Sequence, residues 1–158
     1  MRILGVDPGY ERLGVAIIEK PTVGKEQLLF SDCLQTAKSL TFGERLFELG
    51  TSLEELIARF APRSIALEKL FLTKNHKTAM SVAEIRGVIT YVAAKNGLSI
   101  FEYTPGQVKA AVTGYGAATK PQVEMMVKQL IKLETTPKYD DEFDAIAVAL
   151  TCAASERF

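Results

Sequence analysis

The sequence predicts an α/β protein whose sheet contains five strands, and three observations lead to this prediction. Short β-favouring apolar runs give way to amphipathic helical patterns after the first quarter of the chain. Two early runs are joined by a short turn, which favours an antiparallel pair. A later run follows a long helix, which favours a parallel strand. With 158 residues, of which 47% are hydrophobic, we expect a single domain spanning residues 1–158.

The first third of the chain supplies three strands and one helix. Residues 3–7 form an apolar run that stops at a Pro-Gly pair, and residues 14–19 and 27–37 form the next two strands. Thr41 and Glu44 have the spacing of a capping box, and apolar residues follow at helical intervals. The sequence therefore predicts an amphipathic helix that begins just after Thr41.

The remainder of the chain alternates further strands and helices. Residues 63–68 and 99–103 predict the fourth and fifth strands, and residues 78–96 predict a helix that stops at Gly97. Core candidates in this helix are Met80, Ala83, Ile85, Val88 and Val92. Later helices are predicted to begin at Thr104-Pro105, to span 121–133, and to follow the acidic stretch 139–144.

Four carboxylates fall where these elements end or begin. Asp7 and Glu68 end two strands that we expect to run parallel, so both side chains should lie at one edge of the sheet. Asp141 and Asp144 are three residues apart and therefore share one face of the first turn of an apolar, buried helix. Each acid, taken separately, also fits an ordinary turn, strand-end or helix-capping residue.

Together the four acids predict a metal site, because burying them side by side is very costly without a cation among them. No His or Cys accompanies them, and an all-oxygen site of this kind suits Mg²⁺ or Mn²⁺. Two such ions form a known clamp for in-line displacement at phosphorus. The sequence therefore predicts hydrolysis of a phosphate ester.

The distribution of charge indicates a nucleic-acid partner, although the formal net charge is zero. Residues 69–132 contain nine Lys and Arg against three Glu, so the excess of positive charge is concentrated in this part. Phe71 lies among the lysines at 69, 74 and 77, and such a loop can place phosphates on the cations and a base on the ring. Solvated lysines around a core phenylalanine are the alternative. We assign no catalytic role to His76.

Several other classes of protein are not favoured. The chain has no apolar run of membrane-spanning length and no signal-peptide pattern, so we expect a cytoplasmic protein with no membrane partner. Cys33 and Cys152 lack metal-type spacing and are predicted to be reduced thiols. Residues 113–120 are glycine-rich but lack the full order of a nucleotide-binding P-loop.

A set of motifs in this chain resembles the RuvC family of Holliday junction resolvases, in the right order over nearly the whole length. These motifs are Gly5-Val6-Asp7-Pro8-Gly9, Leu67-Glu68-Lys69-Leu70-Phe71 with Lys74-Asn75, Arg86-Gly87, Phe101-Glu102-Tyr103 with Val108-Lys109, and Asp141 with Asp144-Ala145. The resemblance implies an RNase H-like fold: a five-stranded mixed sheet, with three antiparallel and two parallel strands and helices on both faces. It also implies a homodimer that nicks two strands of a four-way DNA junction symmetrically during recombination and repair, in cooperation with RuvA and RuvB.

The resemblance further implies roles for individual residues. Asp7, Glu68, Asp141 and Asp144 would be the catalytic set that binds two Mg²⁺ ions, with Mn²⁺ as an alternative. Phe71 would stack on DNA at the junction centre, and Lys109 and Lys120 would contact phosphates near the scissile bond. The DNA-contacting set also includes Lys74 and Arg86.

Two departures from the family pattern bear on these expectations. Lys69 stands where many members have Gln, which we expect to matter little to the metal site. The given chain stops at Phe158 without the basic tail of some members, which we expect to weaken DNA affinity.

Two rival functions are considered. One is an actin-like or sugar-kinase ATPase, which needs a second phosphate loop and a longer chain. The other is a scaffold that binds branched DNA without cutting it.

Overall fold

A five-stranded mixed sheet forms the centre of the molecule in the computed structural model, which describes residues 1–9, 11–69, 76–133 and 137–156. The strands lie in the order β3-β2-β1-β4-β5. The first three pair antiparallel, whereas β4 is parallel to β1 and to β5, as predicted. The strands are β1 (Arg2–Asp7), β2 (Arg12–Glu19), β3 (Gln27–Gln35), β4 (Ser64–Glu68) and β5 (Ser99–Tyr103).

Five helices accompany the sheet in the described part of the chain. The predicted capping box of the first is present, since the Thr41 side chain accepts from the Glu44 backbone and the Glu44 carboxylate accepts from the Thr41 backbone. Gly97 has a φ of +71°, in agreement with its predicted role after a helix. The helices are α1 (Phe42–Phe60), α2 (His76–Lys95), α3 (Pro105–Thr113), α4 (Lys120–Leu130) and α5 (Asp140–Ser155).

Alternate residues of the central strands point to two hydrophobic cores, one on each face of the sheet. Ile3 of β1 packs with apolar residues of α3, α4 and α5, whereas its neighbour Leu4 packs with residues of α1 and α2. Helices therefore cover both faces of the sheet, as the resemblance implied. Among the residues described, no helix combines the length and the apolar character that crossing a bilayer requires.

Two predictions about α2 were wrong. Met80 is 67% exposed and Ala83 is also exposed, although the sequence placed both in the core. The predicted core residues Ile85 and Val92 are buried, together with Ile89, which the sequence analysis did not name. Apolar residues lie on more than one side of α2, so the sequence pattern did not separate the buried from the exposed ones. Cys33 and Cys152 are free thiols, as predicted, and both are buried.

Candidate active site

Two carboxylates lie side by side where parallel strands end. Asp7 is the last residue of β1 and Glu68 the last residue of β4. Val6 is paired in register with Leu67, so the next residue of each strand emerges at the same edge of the sheet. The Pro-Gly turn follows Asp7 directly, and strand β4 ends at Glu68. Both side chains therefore lie at the ends of their strands.

Two glycines allow α5 to bring further carboxylates to this edge. A Cβ atom on Gly14 would lie 2.1 Å from the backbone oxygen of Asp141, and one on Gly5 would lie 2.2 Å from that of Ala145. A side chain at either position would collide with the helix backbone. The glycines of β1 and β2 therefore let the start of α5 rest directly on the sheet, which places Asp144 beside Asp7.

A pocket of about 310 Å³ forms at this edge. Five of the residues that the sequence singled out line it: Asp7, Glu68, Lys109, Lys120 and Asp144. Apolar residues of α3, α4 and α5 complete the walls, which are formed by Pro105, Val108, Val123 and Ala147. The pocket thus combines three acids and two lysines on an otherwise apolar surface.

Asp141 lies beside this pocket and outside its lining. Its carboxylate is 3.9 Å from Arg12 Nη1, and Cys33 Sγ donates a weak hydrogen bond to Asp141 Oδ2 at 3.8 Å. Arg12 also lies over the ring of Tyr139, with 5.5 Å between its guanidinium carbon and the ring centroid. The negative charge of Asp141 still reaches Asp7, where it contributes to a raised pKa.

Asp7 is the carboxylate most perturbed by this environment. Burial, followed by the charges of Asp144, Glu68 and Asp141, raises the pKa of Asp7 to about 7, and Lys120 offsets only part of this effect. Three of the charged neighbours that affect this pKa are carboxylates and one is a lysine, so the charges around Asp7 add to the effect of burial. Asp7 is therefore the position where an additional cation would stabilise the site most.

Burial is also the largest cause of the raised pKa of Glu68 and of Asp144. Burial and the charge of Asp144 raise the pKa of Glu68, while Lys109, Arg86 and Lys120 lower it. Burial also raises the pKa of Asp144, against the opposing hydrogen bond from Lys120. Lys109 and Lys120 thus lower the pKa of Glu68, and Lys120 that of Asp144, but burial outweighs them.

Lys120, on the first turn of α4, bridges two acids of α5. Its Nζ lies 2.9 Å from Asp144 Oδ2 and 3.5 Å from Asp140 Oδ2. Within the described ranges, no three His, Cys, Asp or Glu side chains are gathered closely enough to enclose a metal ion. The donor atoms are nevertheless all carboxylate oxygens, and their excess charge suits a hard divalent cation. The residues present therefore fit Mg²⁺ in donor type and charge. In this structure Lys120 contacts Asp144 and Arg12 contacts Asp141, and these contacts keep the two acids apart from each other.

Comparisons with known proteins identify the family of this chain. A family model described as crossover junction endodeoxyribonuclease RuvC matches residues 3–152. The chain belongs to the RuvC family. RuvC of Ruminiclostridium cellulolyticum is 45% identical over 157 residues, covering 99% of this chain and 94% of the relative. RuvC of Caldicellulosiruptor saccharolyticus is 45% identical over 150 residues, covering 95% of this chain and 90% of the relative.

Solved structures agree with the family assignment. The chain matches Thermus thermophilus RuvC in complex with a Holliday junction substrate with a TM-score of 0.91 and 30% identity, covering 98% and 93% of the two chains. The predicted RNase H-like fold is thereby confirmed. The yeast mitochondrial Holliday junction resolvase Ydc2 shares the fold with a TM-score of 0.67 at 14% identity, covering 97% of this chain and 76% of the other.

In this RuvC-family chain, Arg86 is enclosed between three elements. Its side chain is 12% exposed, and its guanidinium donates to the backbone oxygen of Glu68 and to the carboxylate of Glu102. One side chain of α2 thus connects the end of β4 to β5. The sequence resemblance implied DNA contact for Arg86, whereas the contacts seen here support the strand end that presents Glu68.

Glu142 is a buried acid that the sequence analysis missed. It is 5% exposed, and it accepts hydrogen bonds from Ser31 Oγ at 2.7 Å and from the backbone N–H groups of Lys138 and Tyr139. Glu142 lies between Asp141 and Asp144 in the chain, and its bond from Ser31 joins the first turn of α5 to β3. Its position in an acidic run gave no signal of this role.

The predicted DNA contacts Phe71 and Lys74 lie outside the described residues.

Proposed function

We propose that this RuvC-family protein is a Holliday junction resolvase that uses Asp7, Glu68, Asp141 and Asp144 to cut DNA. It would nick two strands of a four-way junction symmetrically, during recombination and DNA repair. The observation that carries the assignment of the site is that Asp7, Glu68 and Asp144 line one pocket with Lys109 and Lys120. The raised pKa of Asp7, caused by burial and by the neighbouring acids, agrees with this assignment.

The same four carboxylates are the proposed ligands of two Mg²⁺ ions, with Mn²⁺ as the alternative metal. Such ions, when bound, activate a water molecule and stabilise the departing oxygen of a phosphodiester. The hard oxygen donors support this choice, as does the count of three acids against two lysines in the pocket lining. Asp141 lies against Arg12 and Cys33, so we propose that its side chain turns toward the pocket when metal binds.

The chain's own cations would position the scissile phosphate. Lys109 and Lys120 line the pocket from α3 and α4. A phosphate seated there would offer both lysines a new anionic partner, and Lys120 would exchange its bond to Asp144 for one to the phosphate.

Other proposed DNA contacts rest on the family resemblance. Phe71 is proposed to stack on a base at the junction centre, and Lys74 to contact a phosphate close to it. Arg86 is proposed to act chiefly by holding the end of β4, because its guanidinium is bonded to Glu68 and Glu102. Two of these assignments fall on residues outside the described part of the chain.

A homodimer is the proposed working form, and a groove between α1 and α2 is its proposed interface. The groove has a volume of about 300 Å³, and its rim carries Phe47 and Tyr91, which are 75% and 65% exposed. Met80, also on α2, is 67% exposed. Large apolar side chains grouped on a monomer surface are typical of protein interfaces. Phe47→Glu and Tyr91→Glu are expected to shift the protein from dimer to monomer in analytical ultracentrifugation.

Cooperation with a RuvA and RuvB branch-migration complex is proposed on family membership alone. The cytoplasmic location expected from the sequence stays a prediction, as does the single domain spanning residues 1–158. A pull-down of purified RuvA or RuvB from the same organism on a four-way junction, with and without this protein, would test the partnership.

The decisive experiment incubates the purified protein with a labelled synthetic four-way junction and with a linear duplex of the same sequence, with and without Mg²⁺. We expect paired nicks in the junction with Mg²⁺ and no cutting of the duplex. The control variant Asp7→Asn is expected to bind the junction and to leave it intact. Junction binding by the wild-type protein without any cutting, in Mg²⁺ or Mn²⁺, would favour the scaffold that binds branched DNA without cleaving it.

A further inference from the structure

A second, basic pocket lies at the same sheet edge as the carboxylates. It has a volume of about 120 Å³ and is formed where β2 begins, where β3 ends and where α1 begins. Arg12 is paired in register with Gln35, so these strand ends meet at the edge from which Asp7 emerges. The pocket is lined by Glu11, Arg12, Gln35, Thr36, Lys38 and Arg45.

The lining carries more positive than negative charge. Arg12, Lys38 and Arg45 contribute three cations, and Glu11 contributes one carboxylate. A pocket this small, with a net positive charge, suits one compact anionic group and is too small for a nucleotide.

Two polar atoms of this pocket are buried without a partner. Arg45 Nε and Thr36 Oγ1 make no hydrogen bond to any described residue. A buried guanidinium N–H left without an acceptor is costly, and such groups are rare in folded proteins. An oxygen-rich anion would satisfy both atoms at once, since Arg45 would donate from Nε and Thr36 from its hydroxyl.

Arg12 connects the basic pocket to the proposed catalytic site. The same guanidinium that lines the basic pocket lies 3.9 Å from Asp141 Oδ2. Arg12 therefore lies between the basic pocket and Asp141, one of the proposed catalytic acids, at one edge of the sheet.

We propose that the pocket formed by Arg12, Thr36, Lys38 and Arg45 binds a backbone phosphate of the junction next to the one that is cut. This inference rests on the proposed function, because it takes four-way junction DNA as the ligand. Binding at this pocket fixes the register of the strand across the catalytic carboxylates, since phosphate contacts position a protein on DNA without reading its sequence.

The test measures the affinity of a fluorescent synthetic four-way junction in Ca²⁺ buffer across a range of NaCl concentrations. Arg45→Gln and Lys38→Ala are expected each to weaken binding about tenfold at low salt and to reduce the slope of log affinity against log salt by about 1. Arg63→Gln is the matched control, because Arg63 precedes β4 at the opposite end of the sheet. It is expected to leave both affinity and slope unchanged.

A second arm removes the charge from the DNA instead of the protein. Single methylphosphonates are placed at successive backbone positions around the cleavage site of the same junction. One position is expected to weaken binding of wild-type protein about tenfold and to have no further effect on Arg45→Gln, because the contact is already lost. Effects that add at every position, or unchanged salt slopes in both variants, would overturn the proposal.

Two controls distinguish loss of the phosphate contact from misfolding of the variant and from an incorrect catalytic assignment. Thermal melting shows whether Arg45→Gln folds; if it does not, Lys38→Ala decides the matter, because Lys38 is exposed and its truncation leaves no buried gap. Asp7→Asn measures the proposed catalytic set independently. If Asp7→Asn cut the junction as wild type does, the catalytic assignment would fail while the binding measurements would still decide the phosphate pocket.

Discussion

Lys120 Nζ donates a hydrogen bond to Asp144 Oδ2 across 2.9 Å, which joins the first turn of α4 to the first turn of α5. Burial alone would lower the pKa of Lys120, but the hydrogen bonds and charges of Asp144 and Asp140 outweigh it and raise the pKa. The lysine therefore stays charged at neutral pH, so it can accompany either a carboxylate or a phosphate. We therefore expect Lys120 to exchange Asp144 for the scissile phosphate during cutting.

Lys120→Ala is expected to slow single-turnover cutting of a four-way junction about 100-fold while weakening junction binding less than tenfold. The reason is that a cation beside the reacting phosphate counts most in the transition state, where charge builds up. Lys109→Ala should behave alike, and Lys25→Ala, in the loop between β2 and β3, is the control. Loss of binding with intact single-turnover cutting would show that these lysines act as simple DNA anchors.

Protein stability is expected to depend on pH through the pocket acids. The pKa of Asp7 rises from 3.8 to about 7 on folding, so the folded state binds its proton more tightly than the unfolded state does. Without divalent ions, the free energy of unfolding should therefore fall between pH 4 and pH 7, by about 4 kcal/mol from Asp7. Urea unfolding of wild type and Asp7→Asn across this pH range measures the difference between their free energies of unfolding. That difference would not change with pH if the pKa of Asp7 were not raised.

Mg²⁺ is expected to reverse this loss of stability. An ion among the carboxylates compensates their charge, so the melting temperature of wild type should rise with added Mg²⁺, and more at pH 8 than at pH 5. Asp7→Asn should show a much smaller rise. An equal rise in both proteins would mean that the ion binds elsewhere, and scanning calorimetry with Mg²⁺ and with Na⁺ at matched ionic strength distinguishes these cases.

Arg86→Lys is expected to lower the free energy of unfolding by about 1–3 kcal/mol and to slow cutting about tenfold. A lysine lacks the planar fork that reaches both the Glu68 carbonyl and the Glu102 carboxylate, so the end of β4 loses its support. Arg63→Lys serves as the control. If Arg86→Lys instead weakened junction binding and left cutting at saturation unaltered, the DNA contact implied by the family resemblance would be the better description.

Gly14→Ala is expected to cost about 1–3 kcal/mol of stability and to impair cutting. The added methyl group would meet the backbone oxygen of Asp141 at 2.1 Å, which would force the start of α5 away from the sheet. Gly43→Ala in α1 is the matched control: its Cβ would meet nothing within 4 Å, and it should stabilise the helix by about 0.5–1 kcal/mol. Equal effects of the two substitutions in urea unfolding would contradict close packing at Gly14.

Most of the fold could be predicted because its signals are local. The capping box at Thr41, the proline after Thr104 and the punctuation after Asp7 each mark an element boundary through the nearby backbone. The exposure of single residues of α2 could not be predicted in this way. Exposure of Met80 depends on which side of the helix meets the sheet, and the weak amphipathicity of α2 gave no decisive answer.

The sequence by itself determined that Asp7 and Glu68 share a sheet edge with the start of α5, because strand ends and helix starts follow from periodicity and connection rules. The tertiary structure decided which partners each charged group has. Arg12 reaches Asp141, and Arg86 reaches Glu102, across segments that are distant in the chain. Such contacts depend on strand register and helix packing, which residue spacing does not encode.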